Sequence, residues 1–172
     1  MKRTSTTTKA LLGGVVLPLV LGLVGHAMGQ TGPTWTELSP TGGTPGPHTG
    51  HTAVYDAANN RMTIFGGVNN PLPSCPSECL NDVWVLSNAD GQGGQPAWTQ
   101  LSPTGVPPAP RFNSTAVYDS GTNRMVMFGG SLDRDLSCFS STNDVWLLSD
   151  ANGLGTPAWT QLSPSGTLPD GR

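Results

Sequence analysis

Asn60–Gly67 reads NRMTIFGG and Asn123–Gly130 reads NRMVMFGG, the same short apolar segment written twice. The rest of the unit recurs around it. TAVYD stands at Thr52 and Thr115, and NDVWVLS at Asn81 returns as NDVWLLS at Asn143. WTELSPTG, WTQLSPTG and WTQLSPSG begin at Trp35, Trp98 and Trp159. Every motif returns after nearly the same interval, with nothing inserted between copies, so one structural unit is placed in series.

Each copy reads as four short strands. In the first they are Thr52–Tyr55, Arg61–Phe65, Val83–Leu86 and Trp98–Leu101. In the second they are Thr115–Tyr118, Arg124–Phe128, Val145–Leu148 and Trp159–Leu162. They are rich in Val, Ile, Trp, Tyr, Phe and Thr, residues that suit a pleated surface, and Gly, Pro, Asn or Asp bounds each one. The turns DAANNR and DSGTNR open with Asp and place Asn60 or Asn123 where a left-handed backbone is tolerated, so the first two strands form a hairpin. No useful helical period appears beyond Gly29. Gly and Pro, 23 and 16 of 172 residues, punctuate the strands.

A four-stranded antiparallel unit repeated head to tail is the sequence form of a β-propeller blade. The motifs GHTAVYD, the glycine pairs Gly66-Gly67 and Gly129-Gly130, NDVW, and the Trp opening the fourth strand resemble Kelch-repeat propellers, including the central domain of galactose oxidase. The second copy departs from the pattern where Gly50-His51 becomes Asn113-Ser114. The resemblance implies an all-β chain of about two Kelch-like blades, 48–102 and 111–163, within a domain spanning 30–172. Residues 35–38 are expected as the orphan fourth strand of a preceding blade and 164–172 as the start of the next. A propeller closes with ~4–8 blades, so the segment reads as partial. On the same resemblance the glycine pairs and tryptophans are scaffold.

The start of the chain, 1–29, reads differently. Lys2, Arg3 and Lys9 precede an uncharged run, Ala10–Gly25, and small residues follow at Ala27 and Gly29. This is the pattern of a secretory signal peptide. The run includes Pro18 and falls short of the ~20 residues of a membrane span. The expected location is therefore secreted or periplasmic. Beyond Gly29 no lysine remains, and the acidic residues outnumber the arginines. That balance argues against nucleic acid and anionic membranes as partners. It also removes any phosphate-loop or Schiff-base lysine.

Cys75, Cys79 and Cys138 are an odd count for an exported chain. Cys75 and Cys79 are expected to close a small disulfide, leaving Cys138 single or paired elsewhere. A zinc site would need about four ligands, with His48 and His51 the nearest histidines, and no metal or other cofactor is expected. Tyr55 and Tyr118 occupy equivalent repeat positions, so the converging Tyr, His and Cys of a galactose oxidase-like copper centre are not supplied. DANG and NADG lack the distal glutamate of a calcium loop and read as turns.

Strands alternate in direction, so the second-to-third and fourth-to-first connections emerge at one end. GGVNNPLPSCPSECLND and GGSLDRDLSCFSSTND differ while the strands beside them agree. Fixed strands under variable loops suit a recognition surface. Its candidate residues are His48, Arg111, Phe112, Asn113, Asp133, Arg134, Asp135 and Phe139. The expected function is an exported, non-enzymatic interaction module for protein or carbohydrate. The rival readings are a fragment of a Kelch-fold enzyme, such as a sugar oxidase or epimerase, with catalytic residues elsewhere, and a structural surface protein. Bare blade faces are also expected to drive self-association.

Overall fold

A computed structural model describes residues 34–69, 79–132 and 141–171. The chain divides into Met1–Thr36 and Glu37–Arg172, and the fold described below is that of the second unit. Among the described residues, all of its regular structure is β. Sheet 1 contains β1 (Thr41–Gly42), β2 (Thr52–Asp56), β3 (Arg61–Val68), β4 (Cys79–Ser87) and β5 (Ala97–Leu101). Sheet 2 contains β6 (Thr115–Asp119), β7 (Arg124–Ser131), β8 (Ser141–Ser149) and β9 (Ala158–Leu162). The sheet orders are β1-β5-β4-β3-β2 and β6-β7-β8-β9, antiparallel throughout except at β1. Registers repeat as closely as the sequence does: Thr63 faces Val54 and Val85, and Val126 faces Val117 and Leu147.

The expected hairpin turns form as the side chains dictate. Asp56 Oδ1 accepts the Ala58 N–H at 3.1 Å, Asp119 Oδ1 accepts that of Gly121 at 3.0 Å, and Asn60 and Asn123 both have φ near 51°. One expectation needs correction: the second and third strands extend beyond the expected Arg61–Phe65 and Val83–Leu86. Pairing shifts at a bulge between Phe65 and Gly67 and resumes as Gly67↔Leu80 and Val68↔Cys79, so β3 and β4 are longer than their apolar cores. Gly66 (φ 63°) and Gly67 (φ 99°) adopt the left-handed region that favours glycine. A Cβ on Gly66 would lie 2.7 Å from the Arg111 carbonyl oxygen. The glycines let the next connection lie directly on the sheet.

Residues 35–38, expected as an orphan fourth strand, make no strand pairing among the described residues. A fourth strand needs a third beside it, and none precedes it among the described residues. Pairing falls instead at β1, which runs parallel to β5. One repeat further on, Thr104 makes the same parallel bridge to Ala158. Each connection thus runs beside the fourth strand of the sheet it is about to enter.

The two sheets pack front to back. Strand alternation turns Val54, Phe65 and Val83 of sheet 1 toward Met125, Met127, Trp146, Leu148 and Trp159 of sheet 2, and these form one buried cluster. Phe65 and Trp159 meet edge to face at 5.1 Å, as do Trp146 and Trp159 at 6.4 Å. Each of the large side chains contributes roughly 2 kcal/mol by leaving water. A polar rim fixes the alignment. Thr63 Oγ1 donates to the Ala151 carbonyl (2.7 Å), Arg61 Nη1 to the Asn152 carbonyl (3.1 Å) and Asn152 Nδ2 to Asp56 Oδ2 (2.8 Å).

Candidate functional site

Three prolines, Pro107, Pro108 and Pro110, keep the connection from β5 to β6 extended. Its backbone docks on sheet 1. Asn81 Nδ2 donates to the Pro108 carbonyl (3.3 Å), Arg111 N–H to that of Leu80 (3.0 Å), and Gly67 N–H to that of Arg111 (2.8 Å). The Arg111 side chain then enters sheet 2. Nη1 and Nη2 grip Asp144 Oδ1 and Oδ2 at 2.7 and 2.9 Å, and Nη1 also donates to the Gly129 carbonyl and to Thr142 Oγ1. Trp146 Nε1 donates to Asp144 Oδ2 at 2.6 Å. Burial alone would raise the Asp144 pKa, but the bonds from Arg111, Trp146 and Thr142 outweigh it and bring it to about 2.

Sheet 1 carries the same device in other residues. His48 is the repeat equivalent of Arg111, and Asp82 and Trp84 are those of Asp144 and Trp146. Trp84 Nε1 donates to Asp82 Oδ2 at 2.7 Å, while His48 Nε2 lies 3.7 Å from that oxygen, beyond hydrogen-bond reach. Among the described residues, His48 Nδ1 and Asp82 Oδ1 are buried without a hydrogen-bond partner. Burial pushes the His48 pKa down, Asp82 pulls it up by less, and His51 adds to the depression. His51 Nδ1 lies 2.9 Å from the His48 carbonyl oxygen, with the two rings 6.5 Å apart.

The loop candidates therefore separate. Arg111 is 2% exposed and bound within the scaffold, and the His48 ring is 5% exposed. Phe112 is buried with Val68 and Cys79, and its backbone bridges Ser131. Asn113 alone of these four is exposed; its backbone is left-handed (φ 55°) and its N–H donates to the Gly50 carbonyl at 2.7 Å. Asp133, Arg134, Asp135 and Phe139 lie outside the described residues, as do Cys75 and Cys138. Cys79 is disulfide-bonded. Sequence reasoning missed Asp82 and Asp144. Their signal was present: an Asp two positions before a Trp puts both on one strand face, and His48 and Arg111 follow Trp35 and Trp98 at the same spacing.

This arrangement holds consecutive blades in line and leaves the loops at that end to vary. The KLHDC2/KLHL20/DRC7 Kelch-repeats domain matches residues 27–172. The chain belongs to the Kelch-repeat family. Among curated relatives, it is 33% identical over 56% of its length to the dynein regulatory complex subunit 7 of Chlamydomonas reinhardtii, covering 7% of that protein. It is 30% identical to the host cell factor homolog hcf-1 of Caenorhabditis elegans over 74% of this chain and 16% of that one. It is 27% identical to the mouse Rab9 effector protein with kelch motifs, over 81% of this chain and 47% of that one. The chain thus spans less than half the length of each of these relatives. In Kelch terms, sheets 1 and 2 are two successive blades, and Arg111–Asp144 locks the second to the first.

Proposed function

We propose that this Kelch segment is an exported, non-enzymatic module that binds a protein partner through the loops joining β3 to β4, β5 to β6 and β7 to β8. One observation carries the reading. The charged and aromatic residues at the base of these loops are already engaged in the scaffold, so the loops are anchored while their sequences diverge between blades. Rigid anchoring lowers the ordering cost of binding and leaves the tips to set specificity. A relative named as an effector of Rab9 supports a protein over a carbohydrate as ligand. The basic and apolar start of the chain supports export.

The test immobilises the mature chain and presents it with the host's exported protein fraction and a panel of oligosaccharides. A protein retained by the wild type and lost when residues 132–140 are replaced by a Gly/Ser linker is the expected result. Retention that ignores this loop, or oligosaccharide binding in its place, overturns the reading. N-terminal sequencing of the native protein should begin near Met28 or Gln30; an intact Met1 on cytoplasmic protein defeats export.

A further inference from the structure

Asn152 and Gly153 form the sole Asn-Gly step in the sequence. It stands in the turn between β8 and β9, against sheet 1. Both residues are needed there. Asn152 Nδ2 donates to Asp56 Oδ2 at 2.8 Å, and both residues are 3% exposed. Gly153 has φ 73°, and a Cβ on it would lie 3.0 Å from Leu101 Cδ2 in sheet 1. A side chain at 153 would be strained as well as crowded. The donor and the glycine that the joint between the blades requires thus fall side by side.

An Asn followed by Gly carries its own reaction. The Gly153 backbone nitrogen can bond to Asn152 Cγ, closing a succinimide ring, with no side chain at 153 to obstruct it. The bond from Cγ to Nδ2 breaks, and ammonia leaves with the proton given up by the backbone nitrogen. Water then opens the ring at either carbonyl, leaving Asp or isoaspartate. In sum, one water is consumed and one ammonia released.

The closed joint holds the reacting groups away from this step. Gly153 N–H donates to the Asp150 carbonyl at 2.9 Å. Asn152 Oδ1 accepts from Leu154 N–H at 3.0 Å and from Asn123 Nδ2 at 2.8 Å, while Nδ2 is held by Asp56. Thr63 Oγ1 and Arg61 Nη1 pin the carbonyls of Ala151 and Asn152 from sheet 1. Turning Cγ toward the backbone nitrogen breaks these side-chain bonds, so the reaction needs a local opening.

The product does not fit back. The turn itself tolerates a carboxylate: at the equivalent position Asp90 accepts the Gln92 N–H at 2.7 Å, but Asp90 is exposed. Position 152 faces Asp56. Burial works to raise the Asp56 pKa, yet the bonds from Asn152 and Asn59 bring it below the usual carboxylate value. A carboxylate at 152 removes one of those bonds and puts a second negative charge at the same buried contact, where Arg61 can balance only one.

We propose that Asn152 is a deamidation site gated by the joint between the blades: the closed contact protects it, and opening exposes it to an irreversible change that loosens the joint. Peptide mapping of the whole chain, aged at mildly alkaline pH with and without urea, tests this by separating Asn, Asp and isoaspartate at position 152. The folded chain should convert about tenfold or more slowly than the unfolded one. Thr63→Val, which removes the bond to the Ala151 carbonyl with little change in size, should speed conversion of the folded chain. Asn152→Asp copies the charge change and should lower the urea midpoint. In an Asp56→Asn background the new carboxylate meets an amide donor, and most of that loss should disappear. The proposal is overturned if folded and unfolded chains convert alike, if position 152 stays Asn in both, or if Thr63→Val converts no faster. It is equally overturned if Asn152→Asp is harmless, or if it is as damaging with Asp56→Asn as without it, failure to fold in both backgrounds included.

Discussion

The two blades solve one structural problem with different chemistry. Each must fasten the incoming connection to the Asp of its own third strand. Blade 2 uses Arg111, whose planar fork matches both oxygens of Asp144 and still reaches the Gly129 carbonyl. Blade 1 uses His48, whose ring stops 3.7 Å from Asp82 and leaves a nitrogen and an oxygen buried without partners among the described residues. The Trp–Asp bond is common to both, so the difference lies in the incoming residue. One lock is saturated; the other is loose.

The sharpest way to break this comparison is to remove the two incoming side chains. Arg111→Ala strips a guanidinium from a buried pair and leaves Asp144 against a low-dielectric wall, which should cost ~3 kcal/mol or more. His48→Ala should cost no more than ~1 kcal/mol, because it forfeits packing and a weak attraction. Urea unfolding of both variants reads the gap. Equal losses would mean that the bidentate geometry adds nothing over the imidazole.

The next largest effect tests whether the blade 2 lock depends on blade 1. Gly66 lies in sheet 1, yet a Cβ there meets the Arg111 carbonyl at 2.7 Å with φ at 63°. Gly66→Ala should cost ~2 kcal/mol through strain and displacement of Arg111. Hydrogen exchange should show the loss of protection reaching β8, in blade 2. Protection lost only in β3 and β4 would show that the connection absorbs the shift.

Acid should then separate the locks. The folded His48 holds its pKa below 6.5, so the unfolded chain binds a proton first as pH falls. Stability due to the neutral ring is full above about 6.5 and declines as pH drops from there toward the folded value. Asp144 behaves as a depressed carboxylate: its contribution is full above 3.8 and is lost as pH falls toward about 2. Thermal unfolding should show a shallow loss as pH falls below about 6.5 and a steeper one below pH 4. His48→Arg should raise stability by ~1 kcal/mol at pH 7 and erase the upper slope. A slope that survives this substitution would show that the His48 ring is not its source.

Much of this was legible in the residues. Repeat spacing and alternation are properties of the chain itself, and they gave the strands, the hairpin turns and the Kelch assignment. The extent of β3 and β4 was not, because a glycine pair reads alike as a terminator or a bulge until something is seen packed against it. The same limit applied to Arg111 and Phe112. A loop position looks exposed in sequence, and only the tertiary partners Asp144, Val68 and Cys79 place them inside. Asn152 was read as a plain turn residue; its meaning depends on its Nδ2 reaching Asp56 in the neighbouring sheet.

The smallest expected effect lies at Gly50 and Asn113, equivalent positions just after His48 and Arg111 that share a left-handed backbone, with φ of 68° and 55°. Asn accepts this region better than most residues, so Asn113→Gly should change stability by less than ~0.5 kcal/mol. Gly50→Asn should cost more, because its Cβ would lie 2.7 Å from Asn113 Oδ1 and 3.3 Å from Phe112 Cβ. The first obstacle is the end of an exposed side chain and the second is buried. If the side chain of Asn113 is the main obstacle, the double variant Gly50→Asn/Asn113→Gly should recover most of the loss. A double-variant cycle on the unfolding midpoint measures that coupling. No recovery would assign the cost to Phe112 and make this glycine, like Gly66, a requirement of the connection's close approach.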